Sequence, residues 1–123
     1  MLKHLLLVGL GGATGSILRF LSQKYLHELY PHAFPIGTFV VNIIGCFLIG
    51  IFYGLSSTHQ LFTFEIRLIL MTGLCGGFTT FSAFTLEGMA LLQQQRFMIF
   101  FLYFAASILV GLAATIAGAS LTR

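Results

Sequence analysis

The stretch Gly73-Leu74-Cys75-Gly76-Gly77-Phe78-Thr79-Thr80-Phe81-Ser82-Ala83-Phe84-Thr85 puts hydroxyls, aromatic rings and flexible backbone into one place within an otherwise apolar run. Glycine is the weakest ordinary helix former, so the paired Gly76-Gly77 predicts a break. At membrane depth a break is tolerated only where the freed backbone groups face protein, water or an ion. The stretch therefore predicts an ion site. Phe81 and Phe84 stand three apart and so share one helix face. An aromatic ring has a positive edge, so two ring edges on one face can meet an anion that has lost water. Ser82 adds a hydroxyl donor between them.

Further donors recur at helical spacing. Thr38 and Asn42 are four apart, on one face. A buried Asn in lipid needs partners; an interhelical hydrogen bond and an amide facing a pore both satisfy it. Tyr103, Ser107, Gly111 and Thr115 recur every four residues. They form either a helix-packing seam or a track of hydroxyl donors, and spacing does not choose. Glu87 follows the phenylalanines on the same run. Arg19, near the end of the first apolar segment, reads as a snorkelling or carbonyl-capping anchor, or as a charge at an anion vestibule. Cys46 and Cys75 lack metal-type spacing and behave as small hydrophobes. His4, His27, His32 and His59 sit at or outside span ends, again without ligand spacing.

The elements that must hold these groups follow from composition. The chain has 123 residues, 58% hydrophobic and 7% charged. A soluble domain carries roughly a quarter charged residues, so this is an all-α membrane protein, expected as a single transmembrane domain over 1–123. At about 20 residues per span, four helices fit. They are expected near 4–26, 36–55, 64–93 with a break near 76–80, and 97–121. Lys3 followed by Leu5-Leu6-Leu7-Val8 resembles the start of a signal peptide, but the apolar pattern runs on to Phe20, so the first helix is expected to be retained. Both prolines, Pro31 and Pro35, lie in the first linker, with Pro35 suited to a helix start. Gly11/Gly15, Gly12/Ser16 and Gly50/Gly54 are small-xxx-small pairs that let helices approach closely. The net charge of +3 suits anionic headgroups and is no nucleic-acid footprint. The Gly-rich segments follow no strand, which excludes a dinucleotide fingerprint, and no catalytic signature appears. An enzyme is not expected. With four spans, Lys3, Arg67 and Arg123 fall on one side and Arg19, Lys24 and Arg96 on the other. Even charge gives no positive-inside bias. Insertion both ways, and hence an antiparallel dual-topology homodimer with a midplane ion site, follows.

Three segments carry a family resemblance: Gly11 to Ser16 with Arg19-Phe20; Gly37-Thr38 with Asn42 and Gly45; and Gly76-Gly77-Phe78-Thr79-Thr80-Phe81-Ser82-Ala83-Phe84. The chain resembles the CrcB/Fluc fluoride channels over essentially its whole length, and the third motif is the specific one. The resemblance implies a homodimer with two fluoride pores in a prokaryotic cell membrane. It implies that Phe81 and Phe84 form the phenylalanine box and that Asn42 is the pore asparagine. Tyr103, Ser107 and Thr115 would be the polar track, and Glu87 the acid beside the pore. Thr38 and Ser82 join this set as pore hydroxyls. It also implies a structural sodium ion held by the backbone carbonyls of Gly76 and Thr79, two from each copy. Gly111, where a serine is often found, and Ala83, where a threonine is common, depart from the pattern. The usual fate of a span Phe is lipid-facing bulk, and only the motif context argues against it for Phe81 and Phe84. A small dual-topology proton-coupled multidrug antiporter is the competing expectation. It requires an embedded carboxylate, for which Glu87 is the candidate, and the chain has no Trp to cage an organic cation.

Overall fold

The computed structural model describes residues 1–123. It is all-helical, and four helical stretches are long and apolar enough to cross a membrane: Leu2–Leu29, Ile36–Thr58, Phe64–Gln93 and Phe97–Thr122. We label the elements α1 (Leu2–Leu29), α2 (Ile36–Thr58), α3 (residues 64–78), α4 (Phe81–Gln93) and α5 (Phe97–Thr122). The first, second and last helices run one to three residues beyond the expected spans at one or both ends. Apolar composition continues there, and Pro35 caps the start of α2.

The third span is not uniform. Thr63 caps its start by accepting from the Ile66 N–H, and Leu68–Cys75 is wound as a π-helix. Gly76–Phe78 returns to α geometry, and Thr79 and Thr80 are extended (φ −89, ψ 159 and φ −150, ψ 119). The glycines themselves do not leave the helix: Gly76 has φ −62 and ψ −38. The use of Gly77 is close approach. A Cβ at Gly77 would strike the Gly12 carbonyl oxygen, and one at Gly15 the Leu74 carbonyl oxygen. This is the small-residue contact that holds helices together where no hydrophobic drive operates between them.

α2 packs most extensively on α5. Gly50 faces the Thr115 carbonyl and Gly118 faces the Phe47 carbonyl and Ile51 N. Thr115 and Thr122 donate across this contact to the Cys46 and Ile51 carbonyls, 3.1 and 3.0 Å away. The buried apolar cluster is small, Phe84, Leu91 and Tyr103, with Phe34, Phe39, Phe100 and Phe104 packed around it. It sits between α4 and α5, directly behind the site.

Candidate functional site

The Asn42 side chain on α2 pairs with the extended backbone of Thr80. The Thr80 N–H donates to Asn42 Oδ1 at 2.9 Å, and Asn42 Nδ2 donates to the Thr80 carbonyl at 3.1 Å. In a continuous helix the Thr80 N–H would serve the Gly76 carbonyl. Similarly, the Ala83 N–H, the helical donor to the Thr79 carbonyl, goes to Thr80 Oγ1 at 3.1 Å as the N-cap of α4. The carbonyls of Gly76 and Thr79 thus lose their helical donors. The Gly77 carbonyl is served from α1, by Arg19 Nε at 3.0 Å. Arg19 is therefore a carbonyl cap reaching across to another element.

A groove of about 410 Å³ opens beside this backbone. Asn42, Gly76, Thr79, Phe81, Phe84 and Ser107 all line it. Phe81 is 76% exposed while Phe84 is 7% exposed. The two rings lie 5.8 Å apart, and Phe84 stacks on Phe104 at 4.2 Å. The Ser107 hydroxyl is buried and has no partner in the chain. The groove thus offers ring surfaces, one amide with a proton to spare, and an uncommitted hydroxyl, with no Lys or Arg among its lining residues. No three His, Cys, Asp or Glu side chains come together, so a metal here would be held by backbone oxygens. Gly76 and Thr79 line the groove, and their carbonyls, without helical donors, are the backbone oxygens a hard cation would use.

A hydrogen-bonded chain runs beside the groove. Gln23 Nε2 donates to Thr38 Oγ1 at 3.0 Å, Thr38 donates to Glu87 Oε2 at 2.7 Å, and the Tyr103 hydroxyl donates to Glu87 Oε1 at 2.9 Å. Thr38 and Tyr103 are fully buried. Charge buried in lipid needs such donors. Gln23, Thr38 and Glu87 also line a second cavity of about 560 Å³, together with Lys24, His27 and His32. The Phe84 and Tyr103 rings, 5.1 Å apart, join the two sets.

Of the candidate residues, the fold brings Asn42, Phe81, Phe84, Ser107, Gly76 and Thr79 into the groove, and Thr38, Glu87 and Tyr103 into the adjoining network. Ser82 lies outside both, exposed, its Oγ 3.4 Å from Thr80 Oγ1. The Thr115 hydroxyl lies in the α2–α5 contact and points at the Cys46 and Gly111 carbonyls. Gly111 packs against Cys46 Sγ at 3.4 Å for a Cβ built there. The stripe on α5 is thus divided: seam from Gly111 onward, site at Tyr103 and Ser107. Gln23, which donates to Thr38, has no counterpart in the sequence expectations, and the carbonyl that Arg19 caps, Gly77, is not named there. A signal existed, for Gly11, Gly15, Arg19 and Gln23 recur every four residues and continue the close-approach face of α1.

Residues 6–119 match the family described as CrcB-like protein, Camphor Resistance (CrcB). The chain is similar to proteins named fluoride-specific ion channel FluC. It is 43% identical to that of Azobacteroides pseudotrichonymphae over 123 residues, covering 100% of this chain and 98% of the relative. It is 46% identical to that of Phocaeicola vulgatus over 117 residues, 95% and 96% of the two chains. It is 43% identical to that of Flavobacterium psychrophilum over 117 residues, 95% and 94%.

Proposed function

This chain belongs to the CrcB family, and from that membership we propose that it is a fluoride-selective channel, passively exporting cytoplasmic fluoride. It is a multi-pass membrane protein, with four helices of spanning length. The observation that carries the proposal is the groove in which Phe81, Phe84, Asn42 and Ser107 meet without a fixed cation. Fluoride is small and strongly hydrated, so a narrow path must offer a donor or ring edge at short intervals. Conduction also requires that each site bind weakly enough to release. Ring edges and neutral donors meet both needs, whereas a buried Lys or Arg would trap the anion.

In this reading fluoride enters from the cavity lined by Lys24, His27 and His32. It passes the hydroxyls of Thr38 and Tyr103, held by Glu87, and then the edges of Phe84 and Phe81. Asn42 and Ser107 supply donors along the groove, and Ser82 stands exposed outside it. Thr115 stands at the far end of the α5 track, its hydroxyl turned into the seam. An inside-negative potential drives the anion outward by about 2.3 kcal/mol per 100 mV. No ATP or proton coupling is required.

The working unit we propose is an antiparallel homodimer. The even distribution of Lys and Arg supports it, as does the exposure of Phe81 at an open groove. The third span is read as an interrupted helix, on the extended Thr79 and Thr80. The Gly76 and Thr79 carbonyls would hold a structural sodium ion, which would neutralise the dipoles that the interruption leaves unpaired. Replacing sodium by N-methylglucamine is expected to lower the thermal stability of the assembly; an unchanged melting profile removes the sodium assignment.

The test is direct. Protein reconstituted into fluoride-loaded liposomes is given a potassium ionophore, and external fluoride is followed with an electrode. Prompt fluoride efflux without matching chloride efflux is expected. No efflux, or equal chloride efflux, overturns the channel.

A further inference from the structure

The hydrogen-bonded chain beside the groove has a direction, and Gln23 sets it. A threonine hydroxyl carries one proton and can accept in its remaining lone pairs. Thr38 Oγ1 accepts from Gln23 Nε2 at 3.0 Å and donates to Glu87 Oε2 at 2.7 Å. With Gln23 Nε2 donating to its oxygen, Thr38 gives its single proton to the carboxylate. Glu87 then receives one hydroxyl on each oxygen, from Thr38 and from Tyr103.

The backbone is shaped for this contact. Gly37, the residue before Thr38, faces Gln23 so closely that a Cβ there would lie 3.1 Å from the Gln23 Cα and 3.2 Å from its carbonyl oxygen. Glycine lets α1 come near enough for the amide to reach Thr38. Gln23 also lines the cavity that holds Lys24, His27 and His32, so it stands where that cavity meets the buried network.

We propose that Gln23 is a positioning residue: its amide fixes the Thr38 proton on Glu87 and so orders the Thr38–Glu87–Tyr103 network at the entrance to the anion path. The assignment rests on the channel reading for its transport consequence, but not for its spectroscopic one. Without the amide, the Thr38 oxygen loses a partner that holds it in place, and its bond to Glu87 Oε2 is less firmly fixed.

The experiment uses full-length protein with Gln23→Met, which keeps the length of the side chain and removes its donor. The readout is the infrared carboxylate stretch of Glu87, identified by its loss in Glu87→Gln; the chain has only 3 acidic residues, so assignment is practical. A shifted or broadened Glu87 band in Gln23→Met is expected. In a Thr38→Val background the same substitution should leave the band unmoved, because coupled residues lose their non-additive term when the link is cut. Fluoride efflux should fall roughly threefold to tenfold, the loss of about one hydrogen bond. If Gln23→Met folds poorly, Gln23→Glu serves, since a carboxylate can only accept and draws the Thr38 proton away from Glu87. An unmoved band in the folded variant overturns the proposal, whatever happens to efflux. A wild-type protein that passes no fluoride but shows the band shift defeats the channel reading and leaves the positioning role standing.

Discussion

The α2–α5 contact and the segment around Thr79 are built from the same residue types and reach opposite ends. Both are rich in glycine and threonine. In the α2–α5 contact, Gly50, Gly54 and Gly118 admit the neighbouring backbone, while Thr115 and Thr122 donate their hydroxyls to carbonyls across the seam. Every polar atom named there is consumed. Around Thr79 the accounting is reversed. Asn42 and Thr80 take the donors that the Gly76 and Thr79 carbonyls would have used, and Ser107 is left without a partner. A buried polar group without a partner costs about 1–3 kcal/mol, and the proposed ion path would use these open valences. Hydroxyls and glycines close a helix contact in the first region and leave hydrogen-bonding groups open in the second.

Five substitutions test this contrast. Gly118→Val should have the largest effect. Its Cβ would meet the Phe47 carbonyl oxygen and lie 2.8 Å from Ile51 N, both backbone. Overpacking of this kind costs about 3 kcal/mol, and the yield of monodisperse protein by size exclusion should collapse. Asn42→Leu comes next. It strands the N–H and carbonyl of Thr80, at about 2 kcal/mol in all, and both melting temperature and fluoride efflux should drop. Efflux as fast as wild type would show that the Asn42–Thr80 pairing is dispensable.

Phe81→Ile separates the two regions most cleanly. The ring is largely exposed in the chain, so the fold of the chain should survive, while efflux falls by at least about tenfold, equivalent to roughly 1.4 kcal/mol of barrier. The same loss is expected for Phe84→Ile, with some destabilisation from the lost stack on Phe104. Wild-type rates in both would reduce the rings to packing. Thr115→Val should have the smallest effect. Removing its hydroxyl costs about 1 kcal/mol or less of stability, read as a small shift in melting, with efflux within about twofold of wild type. A large loss of efflux from Thr115→Val would move that hydroxyl from the seam into the path.

Much of the candidate site is visible in the residues themselves. Phe81 and Phe84 share a face because three residues nearly complete a turn, and Thr38 and Asn42 do so for the same reason. The partners of those residues are less visible. Asn42 is 38 residues from Thr80 in sequence, and nothing in either segment names the other. Gln23 reads as an ordinary polar residue near a helix end until α1 is laid against Gly37. The stripe on α5 could not be assigned by spacing, because one periodicity serves both a seam and a donor track; only the position of Cys46 opposite Thr115 divides it.

Four apolar spans, the even charge around them, a third span with a glycine pair, and the face shared by Phe81 and Phe84 are all readable along the chain. These follow from hydropathy and helical period, which are local. The tertiary structure decided where the third span departs from helical geometry. Gly77 stays helical with α1 packed against it, the Gly12 carbonyl lying where a Cβ would go. The extended residues are Thr79 and Thr80, because Asn42 offers Thr80 a better pair of hydrogen bonds than the helix does. That competition is between a backbone and a side chain from another helix, and only the assembled helices bring the two together.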